Sequence, residues 1–150
     1  MRRIKILILL SAISVFCLLA DNHFSIAAEP SQAAKKIDKG TLVAYYFHGN
    51  FRCSNCFTIE QYSKEAIEKY FSEQLKNGKL TFSVINTDMP ENEHFIKDYQ
   101  LYTKSLIVAE FKNGKQVKWT NLARVWDYLN NRDAFYTYVR TEIDNYLKSM

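Results

Sequence analysis

Thr41-Leu42-Val43-Ala44-Tyr45-Tyr46-Phe47-His48-Gly49-Asn50-Phe51-Arg52-Cys53-Ser54-Asn55-Cys56 decides the fold. Residues 41–47 are a near-continuous apolar run of strand length, which fits a strand buried on both faces. His48-Gly49-Asn50 breaks that run. Cys56, Ile59, Ala66, Ile67, Tyr70, Phe71 and Leu75 then recur at three and four residues, the spacing of an amphipathic helix. Ser54 and Asn55 are good caps for its start, and Asn77-Gly78 stops it.

Downstream, residues 80–87 read as a second strand, with Leu80, Phe82, Val84 and Ile85 as its apolar content. Asp88 is expected to cap a short helix with Pro90 in its first turn and Phe95, Ile96 and Tyr99 on its buried side. Residues 106–112 and 116–119 flank Asn113-Gly114, a strong hairpin signal. A short helix is expected over residues 122–129. A longer one follows, with Phe135, Tyr138, Val139, Ile143, Tyr146 and Leu147 on one face. The order strand, helix, strand, helix, hairpin, helix predicts an α/β chain. Its first two strands pair in parallel, the hairpin makes the sheet mixed, and helices cover both faces.

The 150 residues fit one domain, and ten Tyr and ten Phe supply core material. The net charge of +4 falls near +2 once Arg2, Arg3, Lys5 and Asp21 are removed with a leader. No basic cluster of the nucleic-acid-binding kind remains, so no nucleic-acid partner is expected. Arg2, Arg3 and Lys5 precede a 15-residue apolar run over residues 6–20, shorter than the ~20 residues of a membrane span. Ser25-Ile26-Ala27 supplies a small-x-small cleavage pattern. Residues 1–27 are therefore expected to be a signal peptide, residues 28–40 a polar tether and residues 41–150 the folded domain. The protein is expected to be exported to the periplasm or another extracytoplasmic space, and membrane-tethered if the signal is not cleaved. Bulky Phe16 before Cys17 argues against lipoprotein processing.

Removal of the signal leaves two cysteines, Cys53 and Cys56, in a compartment where disulfides persist. A C-x-x-C that opens a helix after a buried strand is a much stronger signal than one found alone. The first cysteine then lies at the positive end of the helix, where thiolate is favoured over thiol. The second lies one turn inside, more buried and within reach of the first. Cys53 is thus expected to attack and Cys56 to resolve. Three other uses stay open. A structural disulfide closing so short a loop stabilises by roughly 2 kcal/mol in the chain-entropy model. Structural zinc wants four ligands, for which His48 and His94 would have to join the cysteines. A soft metal or metalloid suits two thiolates, with His48 as a third donor. Among the neighbours, Arg52 is expected to lower the pKa of Cys53 by its charge. His48 is a candidate to orient the dithiol or share a proton with it, and Glu60 lies near their helix face.

With these elements in place the chain resembles the thioredoxin superfamily. The stretch from Ile85-Asn86-Thr87-Asp88 through Phe111-Lys112-Asn113-Gly114 resembles the central part of thioredoxin, including its hairpin. Three segments are similar to the ArsF-type family: residues 45–56, Pro90-Glu91-Asn92-Glu93-His94-Phe95, and Asp98-Tyr99-Gln100-Leu101-Tyr102-Thr103-Lys104-Ser105. These are small exported thioredoxin-like proteins labelled nitrophenyl compound nitroreductase subunit, and the similarity spans roughly residues 41–148. It implies a thioredoxin-like fold with a mixed central sheet, redox roles for Cys53 and Cys56, and a partner redox protein such as a membrane thiol reductant. No flavin- or nicotinamide-binding motif accompanies the dithiol, so no small-molecule cofactor and no resident metal are expected. Three departures from thioredoxin stand out. Arg52 replaces the aromatic residue before the first cysteine. Ala44 or Phe47 falls where thioredoxin keeps a buried acid. Ser105 or Leu106 stands where its cis-proline faces the dithiol, and a trans peptide is expected there. The reading is a thiol-disulfide oxidoreductase with a dedicated partner, in which Arg52, His48 and Ser105 support the cysteines. Non-enzymatic soft-metal binding is the alternative. The exported protein is expected to begin at Ala28 or Glu29, which an intact-mass measurement checks; a mass that retains residues 1–27 would favour an uncleaved anchor.

Overall fold

Strand β1 (Thr41–His48) is buried on both faces, as its unbroken apolar run requires. Leu42, Ala44 and Tyr46 point to one side of the sheet, Val43, Tyr45 and Phe47 to the other. The computed structural model describes residues 40–150. The expected signal segment and all of the tether but Gly40 lie outside the described residues.

β1 pairs in parallel with β2 (Leu80–Asn86) and antiparallel with β3 (Ser105–Lys112), which pairs antiparallel with β4 (Lys115–Asn121). The strand order is β2-β1-β3-β4. A parallel pair needs a long connection, and helices α1 (Ser54–Tyr70) and α2 (Ser72–Lys76) provide it. The hairpin turn is two residues long. Asn113 and Gly114 adopt φ of 53° and 74°, the doubly left-handed turn whose twist matches the flanking strands.

α1 and α4 (Arg132–Ser149) cover one face of the sheet. Ile59, Ala66 and Ile67 from α1 and Phe135, Val139 and Ile143 from α4 meet Leu42, Ala44, Tyr46 and Val108 of the strands. A shorter helix, α3 (His94–Asp98), covers part of the other face. There Phe47 lies 5.2 Å from Phe95 and 5.3 Å from Tyr99 between ring centroids, and Trp119 closes edge-on to Tyr99 at 5.4 Å. The result is a thioredoxin-like α/β fold, a mixed central sheet with helices on both faces and the two cysteines at the β1–α1 junction. Among the described residues no helix is long and apolar enough to cross a membrane.

Local expectations shift in four places. The helix after the cysteines is broken at Phe71 (φ −129°, ψ 28°), which leaves helical geometry while its ring enters the core. Asp88 caps no helix. Met89 precedes the 3-10 turn Pro90–Asn92, and the Asp88 carboxylate is engaged elsewhere. Ile96 is exposed rather than buried, because α3 turns Phe95 and Tyr99 toward the sheet instead. The expected helix over residues 122–129 shrinks to a 3-10 turn at Ala123–Trp126.

Phe135 is fully buried and meets Tyr62 edge-on at 5.5 Å across the α1–α4 interface. Phe135→Ala is expected to cost about 3–5 kcal/mol of stability, the range for emptying a buried phenyl site, and a denaturant melt of the oxidised protein reads it.

Candidate dithiol site

Because β1 ends at His48, residues 49–52 must carry the chain off the sheet edge before α1 can begin. Cys53 is the N-cap of α1, with extended backbone (φ −89°, ψ 169°). The sequence offered Ser54 and Asn55 for that position; both lie inside the first turn instead. The Cys53 carbonyl accepts from the Cys56 and Phe57 N–H groups at 3.0 and 3.3 Å. The two cysteines form a reciprocal cap. The Cys53 N–H donates to Cys56 Sγ at 3.2 Å, and the Cys56 N–H points back at the Cys53 sulfur. Cys53 is exposed and Cys56 is buried, both as free thiols.

This asymmetry sets their acidity. The Cys56 thiol, followed by the Cys56 backbone N–H, donates to the Cys53 sulfur and holds Cys53 below the ordinary thiol range. Burial, then the hydrogen bond to Cys53, pushes Cys56 up; the charge of Lys104 on the facing loop opposes this. One proton is therefore held between two sulfurs, on the buried one.

Arg52, expected to lower the Cys53 pKa by its charge, is engaged elsewhere. Its guanidinium pairs with the Glu60 carboxylate and stacks on Phe57, 4.2 Å from the ring centroid. Its partner lies one helical turn beyond Cys56, and the largest influences that lower Cys53 are the hydrogen bonds from Cys56. Glu60, near the helix face of the cysteines, is engaged by the same pairing. His48 sits at the end of β1 with Nδ1 2.9 Å from the Gly49 carbonyl oxygen, and among the described residues it makes no hydrogen bond to either sulfur. Ser105 is buried and donates to the Thr103 carbonyl at 2.9 Å, so its hydroxyl shapes the facing loop rather than reaching the dithiol. Every described peptide bond is trans, including those at Ser105 and Leu106.

Two residues of the site carry roles that the sequence reading did not give them. Tyr46 reads as one more apolar residue of β1, yet its hydroxyl donates to the Cys56 carbonyl at 2.7 Å from below the helix. Burial holds that phenol well above its ordinary pKa, so it serves as a donor and not as a base. Lys104 is fixed by Trp126, whose indole N–H donates to the Lys104 carbonyl at 3.1 Å. The signal for Tyr46 was its place on the same face of β1 as Leu42 and Ala44, beneath the helix that starts at the cysteines. Phe51, Ile96, Tyr102 and Lys104 are among the residues that line a cavity of about 200 Å³, together with His48, Gly49 and Asp88. Phe51 and Tyr102 are 80% and 96% exposed. His94 is tied to Asp98 at 2.8 Å, and no group of three or more His, Cys, Asp or Glu converges among the described residues.

No protein-family model matches the chain, and no curated protein does. Among solved structures it is similar to the reduced thioredoxin pre-protein of Schistosoma mansoni, with 25% identity over 61% of this chain and 79% of that one, at a TM-score of 0.38. Fasciola hepatica thioredoxin is similar with 21% identity over 63% and 83%, at 0.38. Trypanosoma brucei brucei thioredoxin is similar with 14% identity over 71% and 78%, at 0.40.

With each cysteine left alone in turn, Cys53 is expected to alkylate faster than Cys56 at pH 7, because more of it is thiolate there. The gap should narrow as pH rises and Cys56 ionises. Cys56→Ser keeps an O–H donor for the Cys53 sulfur and Cys56→Ala does not, so the alkylation midpoint of Cys53 should lie higher in the alanine variant. Arg52→Leu should leave that midpoint in place. Rate-versus-pH alkylation reads all of these, and a higher Cys53 midpoint in Arg52→Leu would restore the sequence expectation.

Proposed function

We propose that the protein is an exported thiol-disulfide oxidoreductase that passes electrons between a thiol reductant on the membrane side and one partner protein. The observation that carries this reading is the exposed, acidified Cys53 capping α1 with the buried Cys56 sulfur one turn away. The Cys53 thiolate attacks one sulfur of a partner disulfide. That S–S bond breaks, a partner cysteine leaves as thiolate, and a mixed disulfide forms. Cys56 then loses its proton to solvent and attacks Cys53 Sγ, which expels the second partner thiolate. Two electrons move to the partner and a Cys53–Cys56 disulfide remains. Run backwards with a reductant's dithiol, the same steps recharge the site.

The export part of the proposal is supported by the charged start, short apolar run and small-residue site of residues 1–27. Placement with the ArsF-type family is supported by the three quoted segments. A dedicated partner is supported by the loop opposite the dithiol, which offers Tyr102 and Lys104 on a trans backbone. Strand-addition binding draws affinity from main-chain hydrogen bonds, so a loop of different shape disfavours arbitrary extended peptides.

Cys56→Ser is expected to trap the partner as a mixed disulfide through Cys53 in an extract of the exported fraction, and Cys53→Ser to trap nothing. Insulin reduction by the reduced protein is expected to be slow beside that of thioredoxin under the same conditions. Oxidised glutathione should convert the free thiols to one intramolecular disulfide. A protein that instead purifies with bound metal on the two thiolates and resists that oxidation would overturn the redox reading in favour of soft-metal binding.

A further inference from the structure

The loop that delivers Cys53 is fastened at a distance from the dithiol. Asp88, after β2, accepts the Asn50 N–H on Oδ2 at 2.7 Å. Asn86 binds both partners: its Nδ2 donates to Asn50 Oδ1 at 2.8 Å, and its Oδ1 accepts the Asp88 N–H at 3.1 Å. Two residues before Asn50, the His48 carbonyl accepts the Thr87 N–H at 2.7 Å and the Thr87 hydroxyl at 3.1 Å. Gly49 lies between these anchor points. A Cβ built there would come within 2.8 Å of Asp88 Oδ2, so the carboxylate occupies the space that any side chain at position 49 would need. The contacts join positions 38 and 36 residues apart in sequence, which local turn chemistry does not require.

We infer that Asn50, Asn86 and Asp88 form a clasp whose task is to hold residues 49–52 in the one path that seats Cys53 as the N-cap of α1. The three are positioning residues; none is placed against either sulfur. The inference rests on the redox reading above but acts on the geometry of Cys53 alone. Cys53 meets the Cys56 N–H and S–H groups only while its backbone keeps the extended cap conformation. A loop free to take several paths spends part of its time with the sulfur away from those donors. The thiolate then loses part of its stabilisation. Asp88 also carries a negative charge, and a pure field effect would work in the opposite direction. Deleting an anion near a thiolate lowers the thiol pKa, whereas loosening a clasp raises it. The other charged or titratable groups around the dithiol are Lys104 from the facing loop, Arg52 of the loop before α1 with its partner Glu60 on α1, Tyr46 of β1, and His48 at the end of β1.

The sign separates the possibilities. Rate-versus-pH iodoacetamide alkylation is measured on Cys53 in a Cys56→Ser background of the full exported chain. Asp88→Ala is expected to raise the Cys53 midpoint and slow alkylation several-fold at pH 7. Asp88→Asn keeps an acceptor for the Asn50 N–H and should stay close to the parent. A lower midpoint in both variants would mean that Asp88 acts through its charge, and an unchanged midpoint in Asp88→Ala would mean that the clasp stabilises the fold without setting the thiol; either overturns the inference. Should Asp88→Ala fail to fold, Gly49→Ala displaces the carboxylate without removing it and is expected to move the midpoint the same way, by less. An unchanged midpoint in folded Gly49→Ala would equally overturn it. The readout needs no partner, so loss of partner trapping with an intact clasp effect would refute the redox reading alone.

Discussion

Cys53 is exposed because a central strand buried on both faces ends before it, at His48. β1 has β2 and β3 on its two sides and helices above and below, which leaves no room for a reactive group along its length. Exposure begins past the strand end, at Asn50 and Phe51, and Cys53 meets solvent where the chain turns into α1. At that position α1 has unpaired N–H groups and the positive end of its dipole. The sheet therefore decides where the dithiol lies, and the helix decides which cysteine ionises. A polar N-cap would satisfy the same orphan donors with an oxygen. Cys53 satisfies them with a sulfur that is better off charged, so capping the helix and activating the thiol are one interaction.

Tyr46 shows how the site works without a buried carboxylate. Ala44 packs beneath α1 and Phe47 on the opposite face of the sheet; both are apolar and fully buried. The polar contact from strand to helix is instead the Tyr46 hydroxyl on the Cys56 carbonyl. That bond satisfies a carbonyl in the first turn and fixes the depth of Cys56. It adds no charge and offers no base, since burial keeps the phenol protonated. Tyr46 therefore takes no proton from Cys56, and the cation that favours Cys56 ionisation is Lys104 on the facing loop.

The sheet, its hairpin and the helix carrying the cysteines were legible because each rests on a short-range pattern. Residues 41–47 could bury both faces, Asn113-Gly114 could make only a tight left-handed turn, and the apolar spacing from Cys56 to Ile67 had one helical face. What escaped depends on partners far apart in sequence. Asp88 reads as a helix cap because Asp commonly bonds a local N–H; here it bonds Asn50, on the other side of α1 and β2. Arg52 reads as a cation beside Cys53 because the two are adjacent, yet side-chain direction gives it to Glu60 and Phe57. Phe71 fits the helical spacing as well as it fits the break, so periodicity alone could not show that α1 ends at Tyr70. Tyr46 looked apolar because a strand pattern counts a tyrosine ring and ignores its hydroxyl.

The balance of forces on Cys56 changes when Cys53 reacts. In the free dithiol three influences hold the Cys56 proton: burial, the hydrogen bond it gives to the Cys53 sulfur, and the negative charge of that sulfur. Two oppose them, the Cys53 N–H and Lys104. Once Cys53 is bonded to another sulfur its charge is gone and it becomes a poor acceptor. Two of the three restraints on the proton disappear, while both opposing influences remain in place. Cys56 is thus harder to ionise before a disulfide is captured and easier afterwards. In the proposed exchange, that order would keep a second thiolate from forming beside the first, where like charges would repel, and would supply the resolving thiolate when a bond is present for it to break. The hydrogen bond that lowers the Cys53 pKa also restrains Cys56, and its loss on formation of a mixed disulfide would let the second step follow the first.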